Sequence, residues 1–177
     1  MNFKSLFYST SLFIIALIFI EMEREYEARE NNLLTQSYTL KGSDSPCLRM
    51  YTAIMNYSNM YRIPRKYAFG IAYKETGYGG PFHWNYNHKR TSNAGAIGPM
   101  QIMPSTGRLM WKGLRFSNEE LMCNIEFNVH TSMKLLRKLH DKYGDWKIVF
   151  GAYNTGKPMI NQYALDVFAY TPNWNIN

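Results

Sequence analysis

Cysteine occurs only twice in this chain, as Cys47 and Cys123, too few and too far apart for a zinc ribbon or a CxxC redox centre. In an oxidising compartment the two can pair, and otherwise they are buried free thiols; spacing leaves both readings open. The four histidines (His83, His88, His130, His140) stand outside any HExxH pattern, so neither a metal site nor a cofactor is expected. No stretch alternates apolar and polar residues with period two, which removes the signal for a strand. Repeats and low-complexity tracts are also missing.

Acidic groups become scarce after the first thirty residues. Residues 1–30 hold three Lys/Arg and five Glu, leaving seventeen basic against eight acidic residues in 31–177, a net +9. Such a domain attracts an anionic polymer, but its basic residues form no run and no nucleic-acid motif accompanies them, so nucleic acid is not the expected partner. What is abundant is aromatic: fourteen Tyr and ten Phe among 177 residues. Most of these belong to a core, while Tyr and Trp also suit sugar clefts through an apolar face and a polar tip.

Lys4 precedes an uncharged run from Leu6 to Ile20, fifteen residues long and short of the roughly 20 of a comfortable membrane span. A basic start and an apolar run describe an export signal. No small-x-small cleavage site follows, and the run meets Glu21-Met22-Glu23-Arg24-Glu25 directly. Residues 1–20 are therefore read as a signal peptide or membrane anchor, with the body outside the cytoplasm. Residues 21–45 read as a polar tether, and 46–177 as one folded domain.

The body is patterned for helices. Ser45-Pro46 gives a cap and an N1 proline, and Ile63-Pro64 opens a second helix. Gly77, Gly79, Gly80 and Pro81 end that second helix, and residues 77–98 form a loop long enough to be functional. Pro99 or Pro104 restarts a short helix, Ser117 with Glu120 makes a capping box, and Ile125, Val129, Met133, Leu136 and Leu139 recur at helical spacing. Gly144 and Asp145 separate that helix from another, and a last one is placed at Pro158. The fold class expected is all-α.

Glu75 lies at the end of the apolar helix Ile71-Ala72-Tyr73-Lys74-Glu75. A carboxyl held among apolar neighbours resists ionisation, as a general acid working near neutral pH requires. Alone, a helix-end Glu is ordinarily a solvated charge. Three ordered blocks add to it: Lys74-Glu75-Thr76-Gly77; Ser92-Asn-Ala-Gly95-Ala96-Ile97-Gly98-Pro99-Met100-Gln101 continuing to Thr106; and Ala152-Tyr153-Asn154-Thr155-Gly156. Together they resemble the Glu-Ser, Gly-Leu-Met-Gln and Ala-Tyr-Asn-Ala-Gly blocks of the soluble, lysozyme-like lytic transglycosylases (the SLT family), related in fold to goose-type lysozyme. The resemblance spans residues 47–157 and implies a single lysozyme-like helical domain behind the apolar segment.

It also implies roles. Glu75 is the catalytic residue, and Thr76, Ser92, Gly98, Met100, Gln101, Tyr153 and Asn154 bind substrate or order the cleft. Gly95 and Gly98 let backbone approach a ligand. Met100 offers a soft apolar surface under a sugar, Gln101 an amide for an N-acetyl or hydroxyl group, and Tyr153 a hydroxyl for the Glu75 carboxyl. Pro99 and Thr155 depart from the usual Leu and Ala. The resemblance further implies that one Glu acts first as acid and then as base on the β-1,4 bond between N-acetylmuramic acid and N-acetylglucosamine, leaving 1,6-anhydro ends, and the lack of a second carboxylate in the blocks agrees with it. Peptidoglycan strands are the implied partner, in the periplasmic side of the envelope. Wall recycling, passage for a secretion or conjugation apparatus, and phage entry all use such a domain. A hydrolytic lysozyme on the same fold and a glycan-binding assembly factor without turnover are the alternatives.

Overall fold

The computed structural model describes residues 45–174 and, before them, residues 17, 18, 20–22, 24 and 25, which are helical. These earlier residues belong to a separate unit, Met1–Gly42, and the body to Ser43–Asn177. No helix among the described residues is long and apolar enough to cross a membrane. Most of the segment read as signal or anchor, and nearly all of the tether, lie outside the described residues.

Among the described residues, seven helices make up the body: α1 (Pro46–Met60), α2 (Arg65–Thr76), α3 (Pro104–Met110), α4 (Asn118–Cys123), α5 (Ile125–Tyr143), α6 (Trp146–Thr155) and α7 (Gln162–Ala169). Between α2 and α3, two isolated antiparallel bridges, Thr91 with Ile97 and Ile97 with Ile102, fold the connection into a tight turn. The domain is all-α, as the patterning predicts.

The helix boundaries follow from local chemistry. Asp145 accepts from the Lys147 N–H at 2.7 Å and starts α6. Ser117 accepts from the Glu120 N–H at 3.0 Å and starts α4. That helix does not run on, however: Asn124 leaves helical geometry and accepts from the Phe127 N–H at 3.0 Å, so the apolar series from Ile125 begins a new helix. The last helix begins later than Pro158, at Gln162, because Asn161 accepts from the Ala164 N–H at 2.9 Å. Ser45 holds the N-cap position of α1 without capping through its side chain; its hydroxyl meets the Cys47 thiol at 3.1 Å. Cys47 and Cys123 are both free.

Helix α5 sits at the centre, packed against α1, α3, α4 and α6, and α7 packs on α6 and α2. Residues 125–133 are all buried, polar ones included. Each polar side chain in that run reaches a different element. Glu126 takes both Nε (2.9 Å) and a terminal nitrogen (2.5 Å) of Arg49 from α1. Asn128 takes the turn before α3, His130 meets the Tyr61 hydroxyl at 2.8 Å, Thr131 accepts from the Trp111 indole at 2.8 Å, and Ser132 meets the Tyr153 hydroxyl at 2.9 Å.

The chain returns to α2 by crossing α6. At Gly151 a Cβ would stand 1.7 Å from the carbonyl oxygen of Met159, so backbone passes directly over the helix there. Asn154, exposed on α6, accepts from the Asn161 amide at 3.1 Å and steadies the crossing. Gly151→Ala is expected to cost at least the upper end of the roughly 1–3 kcal/mol of overpacking, because the obstacle is backbone. Gly156→Ala, at φ 75° with open space around it, is expected to cost only about 1 kcal/mol from the left-handed backbone. Urea unfolding of the two variants measures the contrast, and equal losses would refute the crossing as the cause.

Candidate active site

Glu75 is the penultimate residue of α2, which Gly77 closes in the left-handed conformation at φ 70°. Its carboxyl is half-buried and accepts a hydrogen bond from the Tyr163 hydroxyl, on α7, at 2.5 Å. Burial dominates its titration and pushes its pKa up from 4.5 to about 7; the Tyr163 hydrogen bond and the Lys74 charge pull the other way and lose. A helix C-terminus adds its own resistance to an anion. At neutral pH the carboxyl is therefore divided between acid and base.

The hydroxyl expected on Glu75 from Tyr153 thus comes from Tyr163. Tyr153 donates instead to the Met100 carbonyl at 2.7 Å, and with its single proton so placed it accepts from Ser132 at 2.9 Å. Both phenols are raised well above their ordinary pKa, by burial first and then by the nearby Glu75 charge, so both stay neutral. Tyr163 brings α7 to the carboxyl by a hydrogen bond, and Tyr153 on α6 lies within reach of its charge.

The turn 97–102 is held from behind. Ile97 and Ile102 exchange both backbone hydrogen bonds at 3.0 Å. Asn128 accepts from the Met100 N–H at 2.8 Å and donates to the carbonyls of Ile97 (3.0 Å) and Leu121 (2.8 Å). Gly98 is required by this clamp: at φ 78°, its Cβ would lie 2.4 Å from the Asn128 amide nitrogen. Its smallness serves the contact with Asn128, where the sequence had pointed to a ligand. Met100 likewise is 0% exposed and packs inward, so it offers no surface to a sugar. Gln101 adopts a left-handed φ of 48°, and its amide nitrogen donates to the Gly98 and Arg90 carbonyls at 2.8 and 3.1 Å.

The remaining block residues order the same region. Thr76 is buried; its hydroxyl lies within reach of the Ala72 (3.2 Å) and Pro99 (2.9 Å) carbonyls and of the Tyr86 hydroxyl (2.8 Å), which fastens α2 to the turn and to the long loop. Ser92 accepts from the Ala96 N–H at 3.0 Å, closing the small loop around Gly95. Thr155 bonds the Gly151 and Lys157 carbonyls at 2.8 and 3.1 Å, at the start of the crossing.

The eight residues proposed from sequence therefore split. Glu75 and Tyr153 lie within electrostatic reach of one another, while Thr76, Gly98, Met100 and Gln101 build the turn beside them. Tyr163, Asn128 and Ser132 escaped the sequence reading. One signal for Tyr163 existed: with Asn161 as cap, Tyr163 and Asp166 fall three apart on one face of the last helix.

The other carboxylates of the described body are engaged elsewhere. Glu126 pairs with Arg49, Asp141 with Arg137, Asp166 with Lys74, and Asp145 caps α6, while Glu119 and Glu120 stand in the first turn of α4. One carboxyl thus stands in the site, between two neutral phenols.

Residues 52–172 match the model of the transglycosylase SLT domain family. Among solved structures, the 70 kDa soluble lytic transglycosylase of Escherichia coli is 26% identical with a TM-score of 0.50, over 66% of this chain and 18% of that one. A 70 kDa soluble lytic transglycosylase in complex with bulgecin A is 25% identical with a TM-score of 0.51, over 68% of this chain and 19% of that one. This chain covers less than a fifth of the length of either.

Two measurements probe the carboxyl directly. Its folded pKa exceeds the unfolded value, so its ionisation does not weaken the fold below pH about 4.5, weakens it progressively up to about 7, and adds nothing beyond. Glu75→Gln should match wild type in stability at pH 4 and exceed it at pH 8 by a difference on the order of 3 kcal/mol. A gain independent of pH would contradict the assignment. Tyr163→Phe removes a donor that favours the anion, so the Glu75 titration should move further up; Tyr153→Phe should move it less. The carboxyl ¹³C resonance of Glu75 reads both.

Proposed function

This chain belongs to the transglycosylase SLT domain family, and on that premise we propose that it cleaves the glycan strands of peptidoglycan as a lytic transglycosylase. The observation that carries the proposal is the single half-buried carboxyl of Glu75, poised near neutral pH by burial and held by Tyr163.

Glycosidases with two carboxylates divide acid and nucleophile or base between them. Here one group takes both parts in turn. Protonated Glu75 gives its proton to the glycosidic oxygen of the β-1,4 bond between N-acetylmuramic acid and N-acetylglucosamine, and the bond from that oxygen to the anomeric carbon breaks. The substrate's acetamido group supports the positive anomeric carbon. Glu75, now a carboxylate, takes the proton of the C6 hydroxyl as that oxygen bonds the anomeric carbon, closing a 1,6-anhydro ring and restoring the acid. No water is consumed. Tyr163 supports the intermediate in which Glu75 is charged, because its hydroxyl donates to the carboxylate. The 97–102 turn, fixed by Asn128, Tyr153 and Thr76, presents the Gln101 carbonyl oxygen of the amide and neighbouring backbone as candidate contacts for the sugar's polar groups.

The substrate lies in the bacterial envelope, which accords with export by the N-terminal apolar segment. A basic body suits an anionic wall polymer.

Glu75→Gln should lower glycan solubilisation by on the order of 10²–10⁴-fold while the fold is retained. Wild-type activity should fall as pH rises through about 7, where the acid loses its proton. Mass spectrometry of the products decides the reaction: anhydro ends are one water lighter than hydrolysed ends. Exclusively hydrated ends would make the chain a lysozyme, and full activity in Glu75→Gln would remove the acid from the mechanism.

A further inference from the structure

Lys74 precedes Glu75 on α2 and carries the ammonium group nearest to it in sequence. Its four-carbon stem is flexible enough to turn the charge towards the adjoining carboxyl. In the structure it does not. The ammonium donates to Asp166 on α7 at 2.7 Å, and the other oxygen of Asp166 accepts from the Gln162 amide at 2.7 Å, which leaves that carboxylate oriented. Both partners of the pair are about one-third exposed (32% and 36%), so the contact adds little to stability by itself.

Its position is the informative part. Tyr163 lies between Gln162 and Asp166 on the same helix and grips Glu75, while Asp166 grips Lys74. Adjacent residues of α2 are thus held by residues three apart on α7, the carboxyl at the half-buried contact and the ammonium at the exposed one. The titratable groups acting on Glu75 are Lys74 on its own helix, Tyr163 from α7 and Tyr153 from α6. Lys74 is the only full charge among them.

We propose that Asp166 is a positioning residue for the acid: by binding the Lys74 ammonium and neutralising it, it keeps a lone positive charge away from the Glu75 carboxyl. A free ammonium within about 4–6 Å of a carboxyl favours the ionised form and lowers its pKa by roughly 1–3 units. The acid would then stand ionised at the pH where it must hold a proton. Asp166 prevents this without touching substrate. The inference rests on the reading of Glu75 as the acid, but its test does not need turnover.

The test is a titration of the full chain labelled with ¹³C at the glutamate carboxyl, the Glu75 signal being the one lost in Glu75→Gln. In Asp166→Asn the released ammonium should bring the Glu75 midpoint down by about one unit. Lys74→Met should leave it at or above the wild-type value. The double variant, which again has no net charge at this position, should follow Lys74→Met, and Asp166→Glu should restore the wild-type midpoint. An unmoved or raised midpoint in Asp166→Asn overturns the proposal. So does a lowered midpoint that persists in the double variant, since that would mark a structural displacement of Tyr163 in which the ammonium has no part. Because no glycan is present, a chain that failed to cut peptidoglycan would still give a result here, and the two readings fail separately.

Discussion

The first half of α5 is surrounded by protein on every side, and a buried polar group left without a partner costs roughly 1–3 kcal/mol. Residues 125–133 include Glu126, Asn128, His130, Thr131 and Ser132, so the helix can occupy the centre only if each finds a partner there. The partners come from α1, the turn before α3, the segment after α1, the segment after α3, and α6. Apolar packing would hold these elements together, but hydrogen bonds set their register. Displacing any one strands a buried polar atom. The site inherits its geometry from this arrangement: Asn128 fixes the backbone of Met100, whose carbonyl receives Tyr153, which receives Ser132, four residues along the same helix from Asn128.

Against that frame the titration of the Glu75 carboxyl is a balance of opposed effects. Burial raises its pKa, and two smaller influences, the Tyr163 hydroxyl and the Lys74 charge, lower it. Burial alone would keep the carboxyl protonated at neutral pH and leave little carboxylate. A hydroxyl donor gives the anion somewhere to rest. The midpoint near 7 leaves the group part protonated and part ionised at neutral pH, and the Lys74 ammonium beside it is paired with Asp166.

Helix order and most boundaries were legible because caps and glycines are local signals: Asp145, Ser117 and Gly144 act within a few residues of where they stand. The apolar series from Ile125 was legible for the same reason. The pattern carried no mark of Asn128, Thr131 and Ser132 as core residues, because their partners lie distant in sequence. Glu75 stood out through its neighbouring blocks, whereas its hydroxyl partner did not, since Tyr153 lies in a matched block and Tyr163 lies outside all three. Met100, read as a surface for a sugar, is a core residue, and Gly98 stands against Asn128. Glycine signals a close approach without naming what approaches, and Asn128 is thirty residues away.

The crossing at Gly151 brings Tyr163 to a carboxyl 88 residues earlier in the chain. During synthesis, Glu75 therefore leaves the ribosome long before the residue that completes its surroundings. Until α7 is made and laid back across α6, the carboxyl lacks its hydroxyl partner. Assembly of the surroundings of this carboxyl is thereby a late event, dependent on a contact between segments far apart in the chain.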